Sequence, residues 1–446
     1  MQAVKAFERY IAHLSEGLGH VDRHASLKGY CTGLMMPLAR KSVEPMAASL
    51  EPLRVSARHQ ALHHFVARSE WSDGTVLKRV RDWVTPLLGL QDGCYWIVDD
   101  TGLPKKGKHS VGVARQYCGQ LGKQDNCQVA VSLSLASTRG SVPIAYQLYL
   151  PQEWADDPVR RQTAGVPETL AFATKPAIAL GQMRSALAQG VRPGVVLADA
   201  GYGDETAFRE GITAMGLLYA VGIRPATTVW APGTAPLPPK AWAGHGRPPT
   251  KLRRGPGHKP VSARALAMSL APQAWQTVTW REGTNAELCG RFAALRVRAA
   301  HRGLGSEMRA EEWLLIEWPE GDKEPVKYFF STAPEYASLE QLVFVAKMRW
   351  RIERDYQDLK QDFGLSHYEG RGWRGFHHHA TLSIAAYGFL MAQRLQMGAS
   401  GEEEIKKNFA QRQVPAVPEG FVPRGSPSRP APCGGLDLDA ARSAEH

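Results

Sequence analysis

Two short apolar runs in this chain, YWIVDD (Tyr95–Asp100) and GVVLAD (Gly194–Asp199), each end in aspartate. A brief run rich in Val, Ile and aromatic residues, bounded by polar ones, reads as a buried strand. The acid that follows its last apolar residue falls at the strand's open end, where ligands gather in α/β sheets. Any fold that satisfies both runs must therefore cover a sheet with other elements and still leave carboxylates at one edge.

The flanking segments predict what covers it. VGVARQYC (Val111–Cys118), QVAVSLSLAS (Gln128–Ser137) and VPIAYQLYL (Val142–Leu150) alternate with period two, as half-buried strands do. TLAFATKPAIALGQMRSALAQG reads as a helix broken near Pro176, DETAFREGITAMG as a helix and LLYAVGI as a strand. Strands joined by short turns, then alternating helix and strand, predict an α/β fold with a mixed sheet. The first 90 residues read as helical and dotted with basic side chains, which suits a helical DNA-binding domain or a plain helical bundle. Residues 226–330 start with a Pro/Gly-rich basic loop and continue through QTVTWREG, CGRFAALRVRAAH, EEWLLIEWPEG and VKYFFST, a β-rich insertion. From Ser338 one long helix is expected, opening on the capping signature S-x-x-Q and carrying an apolar stripe at Val345, Met348, Ile352, Tyr356 and Leu359. The expected organisation is 1–90 helical, 91–225 first part of the core, 226–330 insertion, 331–398 second part of the core, and 399–446 a Pro/Gly/charge-rich disordered tail.

Charge narrows the partners. Lys and Arg total 54 against 43 Asp and Glu, a net +11, which favours a polyanion such as nucleic acid. The six cysteines include no C-x-x-C pair, which argues against a zinc ribbon or a disulfide framework and fits a reducing cytoplasm. The N-terminal MQAVKAFERYIAHLSEG lacks the apolar core of a signal peptide. The richest apolar stretch, Ala380–Met391, falls short of the ~20 residues a membrane helix needs.

Two chemistries compete at Tyr95–Ser110. Gly102, Gly107 and Lys108 have the spacing of a nucleotide-binding P-loop, but the Ser or Thr that would hold Mg²⁺ is replaced by His109. An alternating strand follows, whereas a P-loop opens a helix. The carboxylate reading has company: Asp199 precedes the turn AGYG, and Glu353 lies on the long helix. Arg349, Glu353 and Lys360 are four and seven residues apart and share a helix face. An ordinary i,i+4 surface pair of Arg349 and Glu353 is the plain alternative. Three carboxylates supply hard oxygen ligands suited to two Mg²⁺, or Mn²⁺, about 4 Å apart.

These residues resemble the DDE transposases of bacterial insertion sequences, most closely the insertion-sequence-701 family. The resemblance lies in IVDDTGLPKKGKHSVGVARQYCGQLGKQDNCQVAVSL, LADAGYG and RWRIERDYQDLKQDFGLSHYEGRGWRGFHHHATL, between about residues 90 and 395. It implies a ribonuclease H-like core split by a β-rich insertion. It also implies Mg²⁺-dependent cut-and-paste transposition of double-stranded DNA at inverted-repeat ends and target, by a homodimer in the bacterial cytoplasm. Asp199 and Glu353 match the second and third catalytic acids. The first lies in DDT, where Asp99 and Asp100 both remain candidates and Asp100, beside Thr101, is favoured. Arg349 and Lys360 match DNA-contacting positions, whereas Ala346 stands where relatives carry Tyr. Lys105, Lys106 and Lys108 are then expected at phosphates. A catalytically silent DNA-binding regulator and a nuclease without strand transfer are the rival readings.

Two further features stand apart. Lys251, Arg253 and Arg254 in KLRRGPGHK suit backbone DNA contact from a loop. The run His377–His379 suggests a metal only weakly, because consecutive residues on a helix point three ways; capping or DNA-facing contact is the expectation.

Overall fold

The computed structural model describes residues 2–282, 287–300 and 305–408. The chain forms two compact units, one from the residues up to Val221 and from Met348 onward, the other from Gly222 to Lys347.

The first unit begins with five helices, α1 (Gln2–Ser15), α2 (Arg23–Met35), α3 (Val43–Leu50), α4 (Val55–Ala67) and α5 (Asp73–Val84). Strands β1 (Tyr95–Pro104), β2 (Ala114–Cys118), β3 (Lys123–Ala136) and β4 (Ser141–Leu148) follow. Short helices α6 (Gln152–Ala155) and α7 (Pro158–Ala164) lead to α8 (Lys175–Ala188), β5 (Val195–Ala198), α9 (Ala200–Gly203), α10 (Thr206–Ala214) and β6 (Tyr219–Ile223). The sheet order is β2-β3-β1-β5-β6, with β4 also paired to β3. β1 is antiparallel to β3 and parallel to β5, so the sheet is mixed. The helix expected to break at Pro176 instead starts there. Thr174 caps α8 by accepting from the Ala177 amide, and proline sits in the first turn, where its missing N–H costs nothing.

The second unit holds β7 (Thr228–Trp230), β8 (Val261–Ser262), α11 (Ala263–Met268), β9 (Gln276–Glu282), β10 (Glu287–Ala299), β11 (Glu312–Glu317), β12 (Lys327–Ser331) and α12 (Leu339–Lys347). Val278, Phe292, Leu315 and Phe329 from its strands pack with Leu342, Val343 and Ala346 of α12. The capping signature closes as written: Ser338 Oγ accepts from the Gln341 amide at 3.3 Å, and Gln341 Oε1 accepts from the Ser338 amide at 3.0 Å.

The single long helix expected from Ser338 is two. After α12 the bonds tighten to i→i−3, from Arg351 to Met348 and from Ile352 to Arg349, before α13 (Trp350–Gln361) resumes in the first unit. Every residue there is an adequate helix former, so the break has no local signal. Helix α14 (Trp373–Asn408) passes through the core, with Leu382, Ile384, Ala385 and Tyr387 buried. It reaches into the segment expected to be a disordered tail, and residues 409–446 lie outside the described residues. A Cβ on Gly388 would stand 2.7 Å from Val80 Cγ1, so this glycine admits α5 against α14. The first 84 residues thus pack into the same compact unit as the sheet. Among the described residues no helix is long and apolar enough to cross a membrane.

The histidine run is structural. His377 Nε2 lies 3.2 Å from the Leu148 amide and Nδ1 2.9 Å from the Trp373 carbonyl. His378 lies against the Val66 and Trp71 carbonyls and stacks on the Trp71 ring, its centroid 3.6 Å away. His379 meets the Tyr30 hydroxyl at 2.9 Å and the Gly364 carbonyl at 2.8 Å. All three are buried, and the neutral His378 ring can donate to only one of its two facing carbonyls. Burial corrects the expectation of DNA-facing contact, while the contact of His378 with the Val66 carbonyl, in the last turn of α4, is of the capping kind. Burial lowers the basicity of each, to about 4 for His378 and His379.

Candidate active site

The pairing register decides which way each acid points. Ile97 of β1 pairs with Leu197 of β5, so Asp99 and Asp199, each two residues further on, lie on the same face. Asp99 pairs with Ser132 of β3, whose Oγ is 2.8 Å from the Tyr356 hydroxyl of α13. That face therefore looks at α13. Asp100, one residue on, points to the opposite face, where α8 and α9 lie.

Asp99 is held on both oxygens. Oδ1 accepts from the Asp100 amide at 2.9 Å, and Oδ2 accepts from Arg349 Nη1 at 3.1 Å. The other arm of the same guanidinium, Nη2, donates to Glu353 Oε1 at 2.9 Å. One cation thus gathers a strand acid and the helix acid 254 residues later, and the pair is more than an isolated surface i,i+4 contact. Asp99 is largely buried while Glu353 is 65 % exposed, so the site opens on the Glu353 side. Burial pushes the Asp99 carboxyl up to about 7 against the pull of Arg349, with Asp199 and Asp100 adding to the rise. Asp199 ends β5 and caps α9, its Oδ1 accepting from the Gly201 amide at 2.9 Å.

Helix α13 is anchored by groups that the sequence does not single out. The Tyr356 hydroxyl donates to the Asp99 carbonyl at 3.2 Å. Asp355 is buried, and its Oδ1 accepts from Ser141 Oγ at 2.6 Å and from the Tyr387 hydroxyl at 2.7 Å. Burial raises its carboxyl to about 6, opposed by those two hydroxyls. Asp358, also buried, receives Arg354 at 3.1 Å and Arg394 at 2.9 Å. An alternating pattern of acids one turn apart on α13 is the only trace of this in the sequence, and it reads equally as a solvated face.

The remaining basic residues divide. Lys360 Nζ reaches the Gly102 carbonyl at 3.3 Å, beside β1, and burial lowers its basicity. Lys105 is turned inward, its Nζ 2.6 Å from the Tyr368 carbonyl, and burial brings it down to about 8. Lys106 and Lys108 are exposed in the turn after β1. Lys251, Arg253 and Arg254 belong to the second unit, where Arg253 Nε donates to the Pro238 carbonyl at 3.1 Å and Lys251 is exposed. Ala346, at the position expected to carry Tyr, is buried in the core of that unit.

The donor set fits a hard divalent cation: carboxylate oxygens on one sheet face, one of them carrying a raised proton affinity that an ion would displace. Among the described residues, no three acidic, His or Cys side chains stand close enough to ligate one as they are. The Arg349 guanidinium holds the Oδ2 of Asp99 that an ion would need.

The family model for DDE superfamily endonucleases matches residues 13–287. The chain belongs to this family. The matched span includes Asp99, Asp100 and Asp199 and stops short of Glu353. A protein from Microchaete diplosiphon described as "Probable transposase for insertion sequence element IS701" is 31 % identical over 224 residues. The alignment covers 50 % of this chain, and the chain spans about half (54 %) of that relative.

Proposed function

We propose that this DDE endonuclease is a DNA transposase, with a ribonuclease H-like core in which Asp99, Asp199 and Glu353 form the metal-binding acids. The observation that carries this reading is the Arg349 guanidinium, which holds Asp99 and Glu353 together on the face Asp199 shares. That geometry favours Asp99 over Asp100 as the first acid. Bound by these oxygens, a pair of Mg²⁺ or Mn²⁺ ions would neutralise charge on the attacking and leaving oxygens of a phosphodiester.

The chain's own residues do the rest. Asp99, once deprotonated, brings a buried negative charge that only a cation can offset. Glu353, mostly exposed, closes the site from the open side. Arg349, displaced from Asp99, is placed for a DNA phosphate, as is Lys360 beside Gly102. Lys106, Lys108 and Lys251 supply exposed charge for backbone contact. Water attacks the phosphorus at a transposon end and the 3′-oxygen leaves as a hydroxyl. That hydroxyl then attacks a second phosphodiester, so each step breaks one P–O bond and makes one. Pairing two ends calls for a homodimer, and the reaction belongs in the cytoplasm, at the nucleoid.

The test is incubation with Mg²⁺ and DNA bearing the inverted repeats that flank the gene. Cleavage and joining that disappear in Glu353→Gln support the proposal. Specific binding without cleavage in either Mg²⁺ or Mn²⁺ points to a regulator, and cleavage without joining to a nuclease.

A further inference from the structure

Asp100 is the acid that the proposed metal site leaves unused, yet its partners are as specific as those of Asp99. Its Oδ2 accepts from Lys175 Nζ at 2.8 Å and from the Tyr202 hydroxyl at 3.3 Å. Lys175 opens α8, directly after the cap Thr174. Tyr202 sits in α9, the one-turn helix that Asp199 caps, and is 2 % exposed. The turn from Asp199 to Gly203 is closed by three internal bonds. Asp199 Oδ1 accepts from the Gly201 amide at 2.9 Å, and its carbonyl accepts from the Tyr202 and Gly203 amides at 3.2 and 2.8 Å. Arg209, buried on α10, donates to the Gly203 carbonyl at the far end. A turn bonded in this way moves as one piece, so whatever holds the Tyr202 ring also holds the Asp199 carboxylate.

We infer that Asp100 is a positioning residue rather than a metal ligand: by gripping Tyr202 and Lys175 it locks α9 to strand β1 and thereby fixes Asp199 level with Asp99. This rests on the reading of Asp99, Asp199 and Glu353 as the metal-binding acids. Opposite faces of one strand then carry opposite duties. Asp99 presents its carboxylate toward α13, and Asp100 ties down the element from which the second acid comes. Tyr356 makes the matching tie on the other side by donating to the Asp99 carbonyl. Burial raises the Tyr202 hydroxyl well above its ordinary range, with Asp100 and Asp99 adding to it, so it stays a donor at any pH the protein meets. Outer partners that orient metal ligands typically matter by ~10–100-fold in affinity.

The experiment is a Tb³⁺ luminescence titration of the full chain without DNA, run on wild type, Asp99→Asn, Asp100→Asn and Tyr202→Phe. Thermal melting reports the fold of each. Asp99→Asn is expected to abolish binding. Tyr202→Phe and Asp100→Asn should each weaken it by roughly 10-fold, with the double variant little worse than either single because both cut the same tie. Raising Mn²⁺ should then restore strand cutting to Tyr202→Phe and not to Asp99→Asn. Loss of Tb³⁺ binding in Asp100→Asn with binding retained in Asp99→Asn would overturn the assignment. So would unchanged Tb³⁺ affinity in Tyr202→Phe, or additive losses in the double variant. A wild type that binds Tb³⁺ in this pattern but never cuts DNA removes the transposase reading and leaves the positioning role standing. Absence of Tb³⁺ binding in the wild type removes both.

Discussion

Arg349 Nη1 lies 3.1 Å from Asp99 Oδ2, and the same guanidinium reaches Glu353 at 2.9 Å. In the metal-free protein this arginine is the counter-charge of a buried acid. Arg349→Ala leaves Asp99 without its partner, and loss of a charged hydrogen bond of this kind costs about 1–3 kcal/mol. Melting in chelator should fall by several degrees. Divalent cations should recover more of that loss than they add to wild type, because they no longer compete with a guanidinium.

The Asp99 carboxyl, raised to about 7, links stability to pH. A carboxyl whose folded value exceeds its unfolded value of about 3.9 stabilises the protein fully below the lower value, and that contribution is lost as pH rises through the higher one. Metal-free protein should therefore melt progressively lower between about pH 4 and 7 and level off above that. Asp355, raised to about 6, has the same sign, so Asp99→Asn should flatten chiefly the upper part of the curve. Mg²⁺ or Mn²⁺ should raise the melting temperature more at pH 8 than at pH 6, since at pH 6 the proton competes for Asp99.

Asp355→Ala removes the buried acceptor of the Ser141 and Tyr387 hydroxyls, leaving Tyr387 only its weaker 3.4 Å bond to the Ser141 carbonyl. A destabilisation of about 2–4 kcal/mol is expected from the lost hydrogen bonds, read from denaturant unfolding. Tb³⁺ affinity should fall as well, because α13 carries Glu353 and loses this anchor.

Lys106 and Lys108 should separate from Lys105. Replacing the two exposed lysines with alanine should reduce the salt slope of DNA affinity by about 2 in total, roughly 1 for each phosphate no longer neutralised. Lys105→Met should leave that slope unchanged and lower the melting temperature, since its ammonium holds the Tyr368 carbonyl. Equal slopes for all three variants would contradict the division.

His379→Ala should destabilise the fold by removing the hydrogen bonds to Tyr30 and Gly364, with no change in metal content or in the salt slope. A variant that loses bound metal would restore a ligand role for the run.

Both acid-bearing runs were legible as strands, but only Asp199 stands at a strand end. Asp99 and Asp100 lie inside β1, which continues to Pro104 on its pairing with β3, contrary to the expectation that the strand stops at its acids. That neighbouring aspartates face opposite ways also follows from period two. Which of them meets α13 does not, because it depends on the pairing of Asp99 with Ser132 and on Tyr356 reaching across. Lys175 and Tyr202, which are 75 and 102 residues from Asp100, leave no mark near it in the sequence. Proline misled at Pro176, where the same restriction that breaks a helix interior suits its first turn. The three histidines pointed three ways as consecutive helical residues must, and each found a backbone partner that only tertiary packing supplies.

The chain leaves the first unit after Val221 and returns to it at Met348, between Asp199 and Glu353. During synthesis, then, a ribosome must translate the whole second unit after Asp199 has emerged before Glu353 exists. At about 5–20 residues per second that interval lasts roughly 8–30 seconds. On the proposed assignment, a nascent or prematurely terminated chain can present basic residues and both aspartates to DNA during that time without the Glu353 carboxylate needed to cut.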